Sequence, residues 1–336
     1  MNAWYTNTVV DATPVISSRV RLARNLKKYP FLSVIGEDQS KALIQEAENA
    51  LGSQFISIPF EEISDMEKRM FLERHVISPE FLKIHKPRGL MLQGGEQICV
   101  MVNEEDHIRI QTIYAGDSID AAWDTANKVD DLLEESVQYA FDKDYGYLTS
   151  CPTNTGTGLR ASFMIHLPMT ERTGNIRNLL PAVSKFGMAL RGIYGEGTEP
   201  LGHIYQVSNQ VTMGKSEDEI ISSLKTIAGQ IIENENRLRE NAMAHVKIDM
   251  EDKFFRAYGT LTHARKLSAK EAMELLSMVR LGYLTQALTA PKPSKTLYEI
   301  MMSIQPGGLQ AEAGRELSEN ERDVFRASYL RDIFSK

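Results

Sequence analysis

The chain has 336 residues, more than one hydrophobic core usually organises, so two domains of unequal size are expected. Its 38 basic and 45 acidic residues leave a net charge of -7, which argues against broad nucleic-acid affinity and asks any anion site to rely on placed arginines. Two cysteines exclude a disulfide framework, no apolar run approaches the ~18 residues that cross a bilayer, and Met1 to Val20 lacks the pattern of a secretion signal, so a reducing cytoplasm is expected.

Residue patterning gives the elements in chain order. Ser17-Ser18-Arg19-Val20-Arg21 reads as a strand whose period of two puts Arg19 and Arg21 on one face. Helical periodicity runs over Gln39 to Leu51, Phe60 to Val76 and Ser118 to Asp142, with strand-like runs at Ile98 to Val102 and Ile108 to Tyr114. Further strands are expected at Ala161 to Leu167, Met188 to Ile193 and Ile204 to Thr212. Ser216, with Glu219 three residues later, then opens a long helix with a capping box. Short loops between several strands favour an antiparallel sheet.

The composition shifts near His245 to Gly259, and the remainder reads as nearly all helix. Ser268 with Glu271, Thr296 with Glu299 and Ser318 with Glu321 repeat the capping signature, while Pro291, Pro293, Pro306, Gly307 and Gly308 separate short helices. The expected fold class is α+β: an antiparallel sheet flanked by helices over residues 1–250, followed by a small helical domain over 251–336.

Chemistry concentrates in Cys151-Pro152-Thr153-Asn154-Thr155-Gly156-Thr157-Gly158-Leu159-Arg160, which joins a thiol, a flexible turn and an arginine. Glycines let backbone N–H groups approach an anion, and Arg160 offers a fork that matches phosphate. Arg19, Arg21, Arg109, Arg160 and Arg191 all stand at strand ends or turn edges. Singly each suits a solvated surface charge; together they suit the oxygens of a transferring phosphoryl group. No Gly-x-x-x-x-Gly-Lys-Ser/Thr loop and no kinase-type His-Arg-Asp segment is present.

Two acidic turns complete the set: Asn103-Glu104-Glu105-Asp106-His107 and Gly195-Glu196-Gly197-Thr198-Glu199. Glu105 and Glu196 could hold a guanidinium, whose planar donors pair with carboxylates. A guanidinium nitrogen is a poor nucleophile while protonated, so one carboxylate must take its proton as the bond to phosphorus forms. A nearby cation would favour the Cys151 thiolate, whereas Cys99 lies in an apolar strand and reads as core.

In order and spacing, Ser17 to Asn25 (SSRVRLARN), Asn103 to Arg109 (NEEDHIR), Cys151 to Ser162 (CPTNTGTGLRAS) and Arg191 to Glu199 (RGIYGEGTE) resemble the ATP:guanidino phosphotransferase family, which includes creatine and arginine kinases. The resemblance implies a phosphagen-kinase-like catalytic domain, with ATP contacts by Ser17, Arg19, Arg21, His75, Arg109, Arg160 and Arg191. It also implies guanidinium contacts by Glu105, Glu196 and Cys151, and Mg2+ held mainly by the phosphates with no dedicated metal ligand. Thr155 departs from the family, which usually has an aliphatic residue there.

Small-molecule members carry about ninety residues of helical domain before the SSRVR segment, as the resemblance implies, whereas here that segment starts at residue 17. The acceptor site is therefore expected to admit an arginine side chain on a protein, and the extra mass at the other end resembles the bacterial protein-arginine kinases of the McsB type. Arg322-Asp323-Val324-Phe325-Arg326-Ala327 resembles their phosphoarginine-recognition motif: Arg322 and Arg326, four apart, could hold phosphate while Asp323 pairs with the guanidinium.

The expected function is ATP-dependent phosphorylation of protein arginines. The alternatives are a kinase of free arginine or another small guanidino compound, and a non-catalytic phosphoarginine-binding adaptor. The resemblance further implies marking of targets for a Clp protease, a heat-shock repressor among the substrates, a zinc-binding activator and a homodimer, with no direct nucleic acid and no membrane.

Overall fold

A computed structural model describes residues 3–192 and 200–335 of the protein. Its strands are β1 (Val15–Arg24), β2 (Ile56–Ile58), β3 (Gly89–Gln93), β4 (Ile98–Val102), β5 (Ile108–Ala115), β6 (Phe141–Asp142), β7 (Gly146–Tyr147), β8 (Leu159–His166), β9 (Met188–Gly192) and β10 (Ile204–Asn209). An eight-stranded sheet runs in the order β2-β3-β4-β5-β1-β8-β10-β9, and β6 and β7 form a separate hairpin. The ladders β2/β3, β3/β4, β4/β5 and β5/β1 are antiparallel.

The described residues within Met1–Trp4, Ser17–Phe163 and Ser208–Lys225 form one compact unit, and those within Tyr5–Ile16, Met164–Val207 and Thr226–Lys336 form another. In the first, helices α1 (Glu37–Leu51), α2 (Asp65–Glu73), α3 (Pro79–Lys83) and α4 (Ile119–Glu134) accompany the sheet. Register sorts its residues by face: Arg19 stands opposite Ile113, Arg21 opposite Gln111 and Ala23 opposite Arg109. Directly opposed residues share a face, so Arg19, Arg21 and Arg109 rise together. Val20, Leu22 and Arg24 point the other way and are buried, as are Leu43 and Ala47 of α1 and Ala122, Ala126 and Val129 of α4.

Two helices are shorter than their periodicity predicts. The run from Phe60 to Val76 is helical only over α2, because Ser64 and Glu67 form a capping box at its start, and His75 turns left-handed (φ 60°) just after its end. Phe60, Val76 and Ile77 instead join Phe81, Leu90, Leu92, Cys99 and Met101 in an apolar cluster. The run from Ser118 to Asp142 stops at Glu134, where the Leu133 carbonyl accepts from the N–H groups of Ser136 and Val137. Asp142 belongs to the β6/β7 hairpin, its Oδ1 accepting from the N–H groups of Asp144 and Tyr145.

In the second unit, α5 (Pro168–Arg172) and α6 (Ile176–Lys185) precede β9, and α7 (Glu217–His245), whose residues from Thr226 on belong to this unit, leads into α8 (Lys247–His263), α9 (Ala269–Leu284), α10 (Leu297–Ser303), α11 (Pro306–Ala313) and α12 (Glu319–Phe334). Ser268, Thr296 and Ser318 cap α9, α10 and α12 by accepting from the N–H groups of Glu271, Glu299 and Glu321, as their spacing predicts. Fully buried Arg280 of α9 donates to the carbonyls of Val10 and Thr13 and pairs with Asp11, fastening residues 10–13 to the helices. Among the described residues no helix is long and apolar enough to cross a membrane.

Candidate active site

Strand β1 brings Arg19 and Arg21 to one face, β5 adds Arg109 and β8 adds Arg160. Arg21 is the centre of the group. Burial holds its guanidinium well below the usual arginine range, and the charges of Arg19, Arg109 and Arg160 lower it further against an opposing pull from Glu104. Its Nε is buried with no hydrogen-bond partner. Among the described residues, carboxylates meet this group at Arg109, which pairs with Glu104 at 2.7 Å and with Glu105 at 3.1 Å. A polyanion satisfies this donor set, so the residues present fit a nucleotide's phosphates.

His75 borders the group. Burial first, and the Arg19 cation second, push its imidazole down to about 3, so it is neutral at pH 7. Gln111 supports its left-handed backbone by donating to the carbonyls of His75 and Val76 at 2.7 and 3.1 Å. Ser17 is 2% exposed and lies opposite Ala115 in the ladder, while Ser18 donates to the Gly116 carbonyl.

The acidic turn between β4 and β5 closes through the bond from the Asn103 N–H to the His107 carbonyl, 2.9 Å, with Asn103 left-handed at φ 61°. Glu104 is buried, accepting from Ser78, Arg109 and the Glu105 N–H; Glu105 is exposed and faces the thiol loop. Asn154 of that loop donates to Glu105 at 3.4 Å, and Arg160 reaches Asn154 at 3.5 Å. The Cys151 Sγ lies 3.0 Å from the Thr153 hydroxyl. Guanidinium forks, a carboxylate and the Cys151 loop are therefore linked within one unit.

The loop is held by backbone approach. A Cβ on Gly156 (φ +112°) would lie 2.4 Å from the Thr212 carbonyl oxygen, so only glycine fits. Thr212 in turn donates to the carbonyls of Thr153 and Thr155 at 3.0 and 2.7 Å. Thr155 shares a 3.0 Å hydroxyl contact with Thr149, a packing role for the residue that departs from the family.

Other expected residues fall elsewhere. Arg191 lies on β9 in the second unit, and Glu196 lies outside the described residues. Arg322, Asp323 and Arg326 belong to α12, where Arg326 is 2% exposed and donates to the carbonyls of Ile304 and Leu267 and to Asp323 at 2.7 Å. Arg322 donates to the Leu317 carbonyl. Cys99 is 1% exposed, and burial pushes its thiol up, in keeping with a core residue. Among the described residues no three His, Cys, Asp or Glu side chains gather as a metal site.

Sequence reasoning missed Glu104, Asn154 and Arg24. The first two stand inside the quoted segments, but which neighbour points inward is a matter of turn geometry. Arg24 did carry a signal: it is out of phase with Arg19 and Arg21, so its side chain enters the opposite face. There it pairs with buried Asp130 at 2.6 Å, donates to the Thr157 carbonyl at 2.9 Å and stacks 3.5 Å from the Tyr147 ring centre.

Residues 37–238 match the ATP:guanido phosphotransferase C-terminal catalytic domain, and residues 247–336 match the protein-arginine kinase McsB C-terminal domain. The protein-arginine kinase of Caldanaerobacter subterraneus subsp. tengcongensis is 45% identical over 333 residues, covering 97% of this chain and 98% of that one. The protein-arginine kinase of Bacillus subtilis is 42% identical over 340 residues, with 99% and 93% covered. Among solved structures, the duplicated taurocyamine kinase of Schistosoma mansoni superposes with a TM-score of 0.62 at 25% identity, over 70% of this chain and 35% of that one. A lombricine kinase, at 21% identity and a TM-score of 0.60 over 68% and 67% of the two chains, shares the fold. The chain belongs to the ATP:guanido phosphotransferase family and, over its whole length, to the protein-arginine kinases within it.

Proposed function

We infer that the protein is an ATP-dependent kinase that transfers a phosphoryl group to arginine side chains of proteins. The observation that carries the reading is Arg21, a guanidinium crowded by three others with an unpartnered buried Nε, in the same unit as Glu105, which accepts from Arg109 and from Asn154 of the Cys151 loop. Arg19, Arg21, Arg109 and Arg160 hold the nucleotide phosphates and neutralise charge that spreads over the transferred group, and neutral His75 contacts the nucleotide without adding a further cation. Glu105 binds the acceptor guanidinium beside Cys151. Catalysis rests on holding the two reactants in line and on removing one proton from the attacking nitrogen, by Glu105 or by Glu196. Mg2+ bound by the phosphates supplies further charge neutralisation when present.

Mass spectrometry at near-neutral pH, which preserves an acid-labile P–N bond, tests this with free arginine and an arginine-rich protein offered side by side. Phosphate on protein arginines alone, lost in Glu105→Ala, is the expected result; transfer to free arginine identifies a small-molecule kinase instead.

The finer reading draws on the resemblance of the motifs. Residues 1–250 form the catalytic domain and 251–336 a regulatory one, whose Arg322, Asp323 and Arg326 take a phosphoarginine. Because Asp323 is engaged by Arg326, a phosphoarginine guanidinium has to exchange that pair. Equal phosphopeptide affinity in parent and the Arg322→Ala, Asp323→Ala variant refutes this. A homodimer working in the cytoplasm, with a zinc-binding activator, a heat-shock repressor as substrate and a Clp protease downstream, completes the proposal.

A further inference from the structure

Asp106 carries chemistry that the kinase reading leaves unused. It is 1% exposed, although it follows exposed Glu105 directly. Its Oδ1 accepts two short bonds of 2.6 Å each, from the Ser150 N–H and from Asn25 Nδ2, while its Oδ2 is buried without a partner. Asn25 is the companion clamp: its Oδ1 accepts from the His107 N–H at 2.9 Å, and its Nδ2 also reaches the Leu148 carbonyl at 3.1 Å. His107 extends the network by accepting from the Leu26 N–H and contacting the Pro30 carbonyl.

Among the described residues no cation pairs with this buried carboxylate, and with one oxygen idle it is a costly way to hold a turn. Its placement gives the reason. One oxygen ties the residue after Glu105 to the residue before Cys151, so the acid that meets the acceptor and the loop that bears the thiol share one fixed point. Glu105 and Asn154 touch at 3.4 Å across the same gap, too long to set the spacing alone.

We propose that Asp106 is a positioning residue, which through its bonds to the Ser150 N–H and to Asn25 fixes the separation of Glu105 from the Cys151 loop and so orients the acceptor guanidinium. It touches neither reactant. The role is geometric: one side-chain oxygen accepts both bonds, so an amide at this position keeps them, whereas a methyl group loses them.

This inference rests on the arginine-kinase reading, and its test separates the two. Parent, Asp106→Ala and Asp106→Asn are compared for kcat and for the KM of ATP with a protein substrate, and for the rate at which iodoacetamide modifies Cys151. Buried Cys99, the other cysteine of the chain, reports any general opening. A misplaced acceptor costs up to about a hundredfold in rate, so Asp106→Ala should lose roughly ten- to a hundredfold in kcat with the KM of ATP within about twofold. Cys151 modification should change severalfold in Asp106→Ala while Cys99 stays protected, and Asp106→Asn should recover most of both.

Parental kcat and parental Cys151 reactivity in Asp106→Ala overturn the proposal. So does an Asp106→Asn variant as impaired as Asp106→Ala, which would assign the effect to charge, and so does Cys99 modification in Asp106→Ala, which would assign it to stability. A parent that phosphorylates no arginine refutes the kinase reading, while the cysteine measurement still decides whether Asp106 holds the loop.

Discussion

Replacing Arg21 by methionine separates a site built for an anion from an arginine placed for packing, because the two predict opposite signs. The guanidinium lies among Arg19, Arg109 and Arg160, and its buried Nε lacks an acceptor. Methionine has a similar reach and no charge, so Arg21→Met removes an unsatisfied buried donor worth about 1–3 kcal/mol and relieves like-charge repulsion. Without nucleotide the variant should melt higher, by roughly 2–4 °C for each kcal/mol in a unit of this size. The same change removes one preorganised donor to the transferring group, which costs about 10²- to 10³-fold in kcat. Thermal melts with and without ADP, beside initial rates on a protein substrate, read all three quantities. The variant should gain thermal stability, lose most of the ADP-induced upshift and lose turnover, a trade of activity for stability. Added salt should raise the parent's melting temperature more than the variant's, since it screens the repulsion that the variant lacks. A lower melting temperature without nucleotide, together with an undiminished ADP shift, would refute the reasoning.

Arg24→Met strands buried Asp130 and frees the Thr157 carbonyl, so it should cost about 3–5 kcal/mol, whereas Arg24→Met with Asp130→Leu should recover most of that. Urea denaturation of both variants measures it, and equal losses would show that the pair itself is not the cause. For His75, the folded protein binds its proton only near pH 3 while the unfolded chain binds it near 6.5, so this residue's contribution is intact above about pH 6.5 and is lost as pH falls toward 3. The slope is at most about 1.4 kcal/mol per pH unit, and His75→Gln should flatten the urea midpoint between pH 4 and 7; an unchanged slope rejects the assignment. Gly156→Ala sets a methyl group against the Thr212 carbonyl and should cost about 1–3 kcal/mol, with a loss of turnover as the Cys151 loop shifts. Unaltered rates in a folded Gly156→Ala protein would count against that loop's role.

Much of this site could be read directly from local patterns. Period-two spacing put Arg19 and Arg21 on one face because a strand alternates its side chains whatever surrounds it, and β4 runs from Ile98 to Val102 as its apolar run predicts. The helix caps at Ser268, Thr296 and Ser318 were legible for the same reason: a side-chain oxygen bonding an N–H three residues on is satisfied within one turn. Other helix ends were not, the box of Ser64 and Glu67 at the start of α2 among them. Phe60 and Val76 share helical periodicity with α2 but are drawn into a cluster with strand residues, and the Asp142 turn overrides a helical pattern through two local bonds.

The sequence by itself determined the chemistry available: arginines for phosphate, glutamates and a thiol for a guanidinium, and the ordered motifs that mark the family. Only the tertiary structure decided which members of a motif do which work. Glu104 and Glu105 are neighbours in the chain, yet a left-handed Asn103 turns one into a buried partner of Arg109 and leaves the other exposed beside Asn154. Arg21 and Arg24 lie three residues apart, yet one stands in a cluster of like charge and the other is sealed against Asp130. Asp106 and Ser150 are joined across 44 residues by a single carboxylate oxygen. Burial and pairing depend on what the rest of the chain brings near, and local sequence does not encode that distance.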